Sequence, residues 1–251
     1  MRYDRIVLPA GLLIVWEGLS LLGFIQGFLL PSPSRILLGL IDLVVVGMPP
    51  GNRLPDHILY SLYRVALGFF AAALAGIPLG LFMGWSASLH RLVSPVIELI
   101  RPVPPLAWIP IAILWFGIGM RSAAFIIFLG AFFPILLNTI SGVRSINPLF
   151  FEAAKTLNAG RPAIFLKVVL PGSVPAVFLG MRVGMGIGWM TLVAAEFTGV
   201  KSGYGLGYMI MTARDIQRPD QILAGMLVIG VIGIAINWGL KAMESQVVRW
   251  Q

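Results

Sequence analysis

The chain has 251 residues, of which 58% are hydrophobic and only 11% are charged. Soluble domains carry about 25% charged residues, so this composition excludes an ordinary soluble enzyme. The absence of cysteine excludes disulfides, thiolate metal sites and cysteine nucleophiles, and His57 and His90 are too far apart to form a ligand motif. A net charge of +8 suggests nucleic-acid binding in a soluble protein. In so apolar a chain it indicates basic loops beside a membrane, with no nucleic-acid partner.

Six apolar segments are long enough to cross a membrane, since a span needs about 20 mostly apolar residues. The first resembles a signal peptide, but Glu17 and the lack of a small-residue cleavage site favour a retained span. The third is the most interrupted, because Glu98, Arg101 and four prolines lie within it. The predicted spans are Ile6–Gln26, Ile58–Trp85, Val96–Gly117, Ser122–Gly142, Ser173–Ala195 and Ile222–Met243.

Lysines and arginines in the loops predict the orientation, because cytoplasmic loops carry an excess of them. With the N-terminus inside, nine lie on the cytoplasmic side and six outside, so both termini are predicted to be cytoplasmic. The inside set is Arg2, Arg5, Arg91, Arg144, Lys155, Arg161, Lys167, Lys241 and Arg249. The outside set is Arg35, Arg53, Arg121, Lys201, Arg214 and Arg218.

Two features concern packing. The segment Ile36–Val46 is too short to span and contains Asp42, which predicts a helix that lies at the interface or packs against protein. Small residues recur every fourth position in the second and fifth spans, and such ladders let helices approach closely. They indicate either packing within one subunit or helices that face each other, or a partner subunit, around a pathway. The ladders are Ala72, Gly76, Gly80 and Gly84, and Gly180, Gly184 and Gly188.

The loop 144–171, between the fourth and fifth spans, predicts two short helices. Asn147 is a good N-cap, Pro148 suits the first helical position, and Gly160 is expected to supply the positive φ that ends the first helix. The second helix is predicted over Ala163–Leu170, stopped by Pro171. A capped helix here either docks in a groove of a partner or lies on the lipid headgroups.

Charged residues inside spans are costly and suggest function. Arg101 precedes a proline run that cannot form a regular helix, so Arg101, Pro104 and Trp108 are candidate pathway residues; alternatively Arg101 pairs with Glu98. Arg182 is a fourth candidate, which meets either a transported anion or a carboxylate partner. Two further charged residues at or inside spans are Arg64, whose long stem is able to snorkel, and Glu17, which is expected to face a neighbouring helix or the headgroups.

The series Glu152-Ala153-Ala154, Gly160 and Leu170-Pro171 resembles the cytoplasmic signature of permease subunits of bacterial ATP-binding-cassette importers. In that family this loop forms coupling helices that dock on the ATPase subunit. The resemblance implies this role for the candidate coupling residues Glu152, Ala153, Ala154, Leu157 and Gly160.

The resemblance covers nearly the whole chain and favours the branch that imports nitrate, sulfonates, taurine and bicarbonate. Its further motifs are Leu30-Pro31-Ser32-Pro33, Ser61-Leu62-Tyr63-Arg64, Gly76-Ile77-Pro78-Leu79-Gly80, the segment 101–110, Phe116-Gly117-Ile118-Gly119, and Glu196 with Gly205-Leu206-Gly207. It implies an all-α membrane protein of the type I importer permease fold, a single domain over 1–251, in the bacterial inner membrane.

The implied partners are a second copy of the chain, two ATPase subunits and an external solute-binding protein. No lysine follows a glycine, so the chain lacks a Walker A phosphate loop. ATP and Mg²⁺ are therefore expected on the partner ATPase, with no catalytic residue, metal or cofactor in this chain. The arginines in the spans predict a small anionic solute, or a zwitterion with an anionic head, of the sulfonate or taurine, nitrate or bicarbonate type. The alternatives are an intramembrane enzyme, which would need a catalytic motif that is absent here, and a passive channel, which would need no capped inner helix.

Overall fold

The computed structural model describes residues 4–197 and 203–247, with side chains from residue 7 onward. In these ranges all regular structure is helical. Lys201, which enters the orientation prediction, lies outside the described residues, as do Arg2 and Arg249. The α-helices are α1 (Asp4–Leu21), α2 (Pro33–Val45), α3 (Leu54–Trp85), α4 (Ala87–Ile100), α5 (Ile109–Phe116), α6 (Met120–Arg144), α7 (Pro148–Thr156), α8 (Arg161–Ile164), α9 (Leu170–Phe197), α10 (Leu206–Asp215) and α11 (Pro219–Val247).

Four helical segments of the described chain are long and apolar enough to cross a membrane: α3, α6, the continuous stretch Arg161–Phe197, and α11. A fifth candidate is the pair of α4 and Pro105–Phe116, which are bent by 80° at a short break. The apolar part of α1, Val7–Leu21, is shorter. Six spans therefore stay a prediction, while four or five are supported by helix length and composition.

The third predicted span is not one straight helix. α4 begins at Ala87, before the predicted start at Val96, and the helix breaks after Ile100. The chain resumes in a 3-10 turn, Pro105–Trp108, followed by α5. Prolines 102, 104 and 105 lack the amide hydrogens that a continuous helix would need there. The predicted interruption by the proline run is confirmed.

The chain forms two compact units, described separately below. The first consists of Met1–Ser61 and Glu196–Ile232, and the second of Leu62–Ala195 and Gly233–Gln251. The single domain over 1–251 stays a prediction.

In the second unit, both small-residue ladders pack against α6. An added methyl group at Gly80 would lie 2.7 Å from the Thr139 Cβ, and one at Gly184 would lie 2.8 Å from the Ala131 carbonyl oxygen. The other contacts follow the same pattern: Gly76 with Ile135, Gly84 with Val143, Gly180 with Asn138, and Gly188 with Ile127. The ladders therefore serve close packing inside one chain, the first of the two alternatives, and they do not face each other.

In the first unit, α2 is held by polar contacts at both ends. The Glu17 carboxylate accepts hydrogen bonds from the Ser34 amide at 3.0 Å and the Ser34 hydroxyl at 2.7 Å, at the positive end of the α2 dipole. Asp42 accepts from Arg218 at 2.9 Å and Gln221 at 2.8 Å, where α11 begins. These contacts confirm that α2 packs against protein and that Glu17 faces a neighbouring helix.

One expectation about a charged side chain is wrong. Arg64 is only 1% exposed, so it does not snorkel to a headgroup region. The whole Arg64 side chain, including the guanidinium, is enclosed by protein.

Candidate functional site

Both ends of the helix α7 are capped by residues of the same loop. The Leu149 amide donates to the Asn147 Oδ1 at 2.9 Å, and Pro148 occupies the first turn, which confirms the predicted N-cap. At the other end, the Ala159 amide donates to the Ala154 carbonyl and Asn158 has a φ of 54°. This is a Schellman ending with asparagine in the left-handed position.

The predicted role of Gly160 in ending this helix is wrong. Gly160 has a φ of −68° and precedes α8 as its N-cap, because Asn158 already supplies the left-handed residue. A methyl group on Gly160 would meet only the Pro162 Cδ, at 3.8 Å. Neither backbone conformation nor space within this chain therefore requires a glycine at this position.

The predicted stop at Pro171 is also wrong. α8 continues through a π-helical turn, Phe165–Val169, directly into α9. The Leu170 amide bonds to the Phe165 carbonyl, five residues back. Pro171 is the second residue of α9, and the change of hydrogen-bond pattern just before it lets the chain continue without that amide hydrogen.

The two faces of α7 differ. Phe151 packs against Trp85, with ring centroids 6.0 Å apart, beside the buried cluster of Leu81, Val143 and Val169. Three other apolar side chains of α7 and its C-cap are exposed, Leu149 by 65%, Phe150 by 62% and Leu157 by 83%. Among the remaining candidate coupling residues, Glu152, Ala153 and Gly160 are exposed and Ala154 is half-buried.

The candidate pathway residues fall into two places within the second unit. Arg101, Pro104 and Trp108 lie at the bend between α4 and α5, where Arg101 lines a cavity and Trp108 packs against the buried cluster that contains Ala112. Arg182 lines a different cavity and forms an ion pair with Glu244 at 3.1 Å. Of its two predicted alternatives, the structure shows the carboxylate partner.

The predicted pair of Glu98 and Arg101 does not form in the described structure. Glu98 instead accepts a hydrogen bond from the Ser94 hydroxyl at 3.0 Å, one turn back along α4. Arg101 is exposed at the end of that helix, and its guanidinium remains available to the cavity.

The first unit contains a buried network of polar groups that the sequence did not predict. Glu196 is 0% exposed and accepts from the Ser61 hydroxyl at 2.8 Å and from the Gly207 amide at 2.8 Å. The Leu206 amide in turn donates to the Ser61 Oγ at 2.9 Å. The carboxylate therefore sits at the positive N-terminus of α10. The sequence feature that indicates this network is an acidic residue at the end of an apolar span, followed by Gly205-Leu206-Gly207.

His57 forms hydrogen bonds with the turn that precedes α10. The Gly205 amide donates to the His57 Nδ1 at 3.0 Å, and the Nε2 donates to the Asn52 carbonyl at 3.2 Å. Tyr204 stacks on Tyr60 with ring centroids 4.8 Å apart. These contacts explain why the turn before α10 has a defined conformation within the first unit.

The profile of the family described as binding-protein-dependent transport system inner membrane component matches residues 76–249. The chain belongs to this family. It is 43% identical to a putative ABC transporter permease of Methanocaldococcus jannaschii, over 98% of this chain and 91% of the relative. It is 39% identical to the taurine transport system permease of Escherichia coli, over 96% of this chain and 87% of the relative.

A solved structure agrees in fold. A chain of the MetNI methionine ABC transporter, in an inward-facing conformation, superposes with a TM-score of 0.67 at 19% identity, over 78% of this permease and 96% of that chain. The predicted type I importer permease fold is thereby confirmed. The family and the apolar helices identify a multi-pass inner membrane protein. The role of each candidate residue stays a prediction.

Proposed function

We propose that this permease is the transmembrane subunit of an ATP-driven importer, and that α7 is its docking helix for a separate ATPase. The single observation that carries this proposal is the exposure of apolar side chains on a firmly capped helix. Leu149, Phe150 and Leu157 project away from the chain, while Phe151 anchors the helix from behind. For a loop helix outside the lipid, exposed apolar side chains on a rigid element are typical of protein interfaces.

Gly160 supports the same proposal. Because its conformation and surroundings in this chain accept a side chain, a requirement for glycine would come from a closely approaching partner surface. Glu152 and Ala153 are exposed on the same helix and are available for contact. ATP and Mg²⁺ belong to the partner in this scheme, since the chain has no Gly-Lys pair for a phosphate loop.

The solute is a small anion, or a zwitterion with an anionic head group such as taurine. Relatives at 33–39% identity are named as permeases for taurine, aliphatic sulfonates, nitrate and bicarbonate. Arg101 lies exposed at the bend between α4 and α5, where broken backbone at membrane depth needs protein or water around it. Two copies of this chain, two ATPase subunits and an external solute-binding protein form the working assembly.

In the resulting cycle, ATP closes the ATPase dimer and moves α7 of each permease copy. The spans rock from an inward-facing to an outward-facing arrangement, and the binding protein releases its anion into the path. Hydrolysis reverses the change. The candidate coupling residues transmit this motion. The path is bordered by Arg101, Pro104 and Trp108. The ion pair of Arg182 with Glu244 connects α9 to α11.

The deciding experiment replaces Glu152 by lysine. We expect normal membrane insertion, reduced co-purification of the ATPase and reduced uptake, because the change reverses a charge on the docking helix without touching the packed face. The matched control is Asp215→Lys, which reverses an exposed acid at the end of α10. Normal ATPase binding and normal uptake in the Glu152→Lys variant would reject the docking role.

The orientation is tested by single cysteines, because the chain has none of its own. We expect Lys155→Cys to react with an impermeant maleimide only after the membrane is opened, and Arg214→Cys to react in intact cells. Labelling of position 155 from outside would reverse the proposed topology.

The solute class is tested by uptake into proteoliposomes that contain the whole complex with its binding protein. Labelled taurine and nitrate should enter, whereas a neutral sugar and a quaternary amine should not. Transport of only the neutral or cationic solute would reject the anion proposal.

A further inference from the structure

A cavity of about 320 Å³ lies between α3, α4 and α6 of the second unit. Its floor is apolar and belongs to the buried core formed by Met83, Ile97 and Ile140. Its rim is polar and is lined by His90, Ser94, Glu98, Arg101, Ser141 and Arg144. An apolar floor below a few polar groups is typical of small-molecule sites.

The charges of this rim are unbalanced. It has two guanidinium groups, Arg101 and Arg144, against the single carboxylate of Glu98. Glu98 is engaged by the Ser94 hydroxyl at 3.0 Å. Neither arginine forms an ion pair within residues 4–197 and 203–247. The rim therefore keeps a net positive charge, because the single Glu98 carboxylate offsets only one of the two guanidinium groups.

His90 supplies an independent sign of a ligand. Its Nδ1 is buried and has no hydrogen-bond partner among the described residues. Buried polar atoms are nearly always paired, so this unpaired nitrogen needs a hydrogen-bond partner, which a bound group or water would supply once the ring turns toward the cavity that His90 lines. The Nδ1 is a donor in one neutral tautomer and in the protonated ring, and the Ser141 hydroxyl is a further donor on the rim.

We propose that this cavity binds a small oxyanion of the sulfonate or nitrate class between Arg101 and Arg144, with His90 and Ser141 as additional donors. Guanidinium groups bind planar and tetrahedral oxyanions through paired hydrogen bonds. The volume equals that of about ten water molecules, which admits such an anion with a short carbon chain resting on the apolar floor. The inference rests on the proposed function only for the class of anion.

The test uses the full chain carrying Ser141→Cys, which gives one reactive thiol on the rim. Its reaction rates are measured with two methanethiosulfonate reagents of opposite charge, the anionic 2-sulfonatoethyl and the cationic 2-(trimethylammonio)ethyl forms, each relative to a free thiol. We expect the anionic reagent to be favoured, and methanesulfonate or nitrate to slow the labelling. Replacing either Arg101 or Arg144 by glutamine should lower the ratio of anionic to cationic rates about fivefold, for charges roughly 8 Å apart in water.

The matched control is Arg91→Gln, an exposed arginine of the same helix that does not line the cavity. It should leave the ratio unchanged. Equal ratios in all variants, or no protection by methanesulfonate and nitrate, would overturn the proposal. Protection by phosphatidylglycerol alone would also overturn it and would assign the cavity to a lipid headgroup. Because the measurement needs no ATPase, its failure would leave the docking proposal intact.

Discussion

Gly184 and Gly186 lie two residues apart in α9, and only Gly184 is in close contact with another helix. A methyl group on Gly184 would lie 2.8 Å from the Ala131 carbonyl oxygen, 3.1 Å from the Ile135 Cγ1 and 3.3 Å from the Ala131 Cα. A methyl group on Gly186 would meet nothing within 4 Å. Replacement of each by alanine therefore compares packing against α6 with open space in the same helix.

The expected difference follows from two terms. Alanine in place of glycine favours a helix by about 1 kcal/mol, and this term is shared by both variants. Overpacking a close contact costs about 1–3 kcal/mol. At Gly184 the obstacle is backbone of α6, which no side-chain rotation can relieve. We therefore expect Gly184→Ala to be less stable than Gly186→Ala by about 1–3 kcal/mol, with Gly186→Ala at or above the parent.

The measurement is unfolding in mixed micelles with increasing dodecyl sulfate, followed by far-ultraviolet circular dichroism. The midpoint should fall for Gly184→Ala and stay or rise for Gly186→Ala, with similar slopes for all three proteins. Equal midpoints, or a lower midpoint for Gly186→Ala, would refute the assignment of the α9 ladder to contact with α6.

Three further predictions concern polar contacts. Glu196→Ala should speed hydrogen exchange at the Gly207 amide and lower the unfolding midpoint, since each buried group left unpaired costs about 1–3 kcal/mol; unchanged exchange would contradict the network. A double-mutant cycle of Arg182→Ala and Glu244→Ala should give a coupling of about 0.2–1 kcal/mol, because both side chains are partly exposed; zero coupling would show the pair to be weak. Asn158→Val should reduce thermal stability by about 1–2 kcal/mol while Asn158→Gly does not, since a β-branched residue is strained at φ 54°; equal effects would argue against the left-handed cap.

Local sequence determined several elements of the site. Asn147-Pro148 defines the start of α7, because a capping side chain followed by proline suits no other position as well. The proline run after Ile100 breaks the chain, because prolines 102, 104 and 105 remove successive amide donors. Composition alone indicated a membrane protein, since 58% hydrophobic and 11% charged residues cannot cover a soluble globule.

The positions where helices end were not determined by sequence, because neighbouring residues are each able to end a helix. Both Asn158 and Gly160 can end a helix, and the structure places the left-handed residue at Asn158, two residues closer to the helix than the glycine. Pro171 was expected to stop a helix. The π turn just before it changes the hydrogen-bond pattern, so the helix continues although proline has no amide hydrogen. Sequence pattern cannot rank these options, because each is permitted by the backbone on its own.

Tertiary structure decided the partners of the charged and small residues. The glycine ladders predict close approach, but only the packed second unit shows that both approach α6. Arg182 finds Glu244 sixty-two positions away, and Glu196 finds Ser61 at a still greater separation. Sequence determines which residues need a partner in an apolar medium, whereas the arrangement of the helices determines which partner lies within reach, because hydrogen bonds and ion pairs form only at short distance.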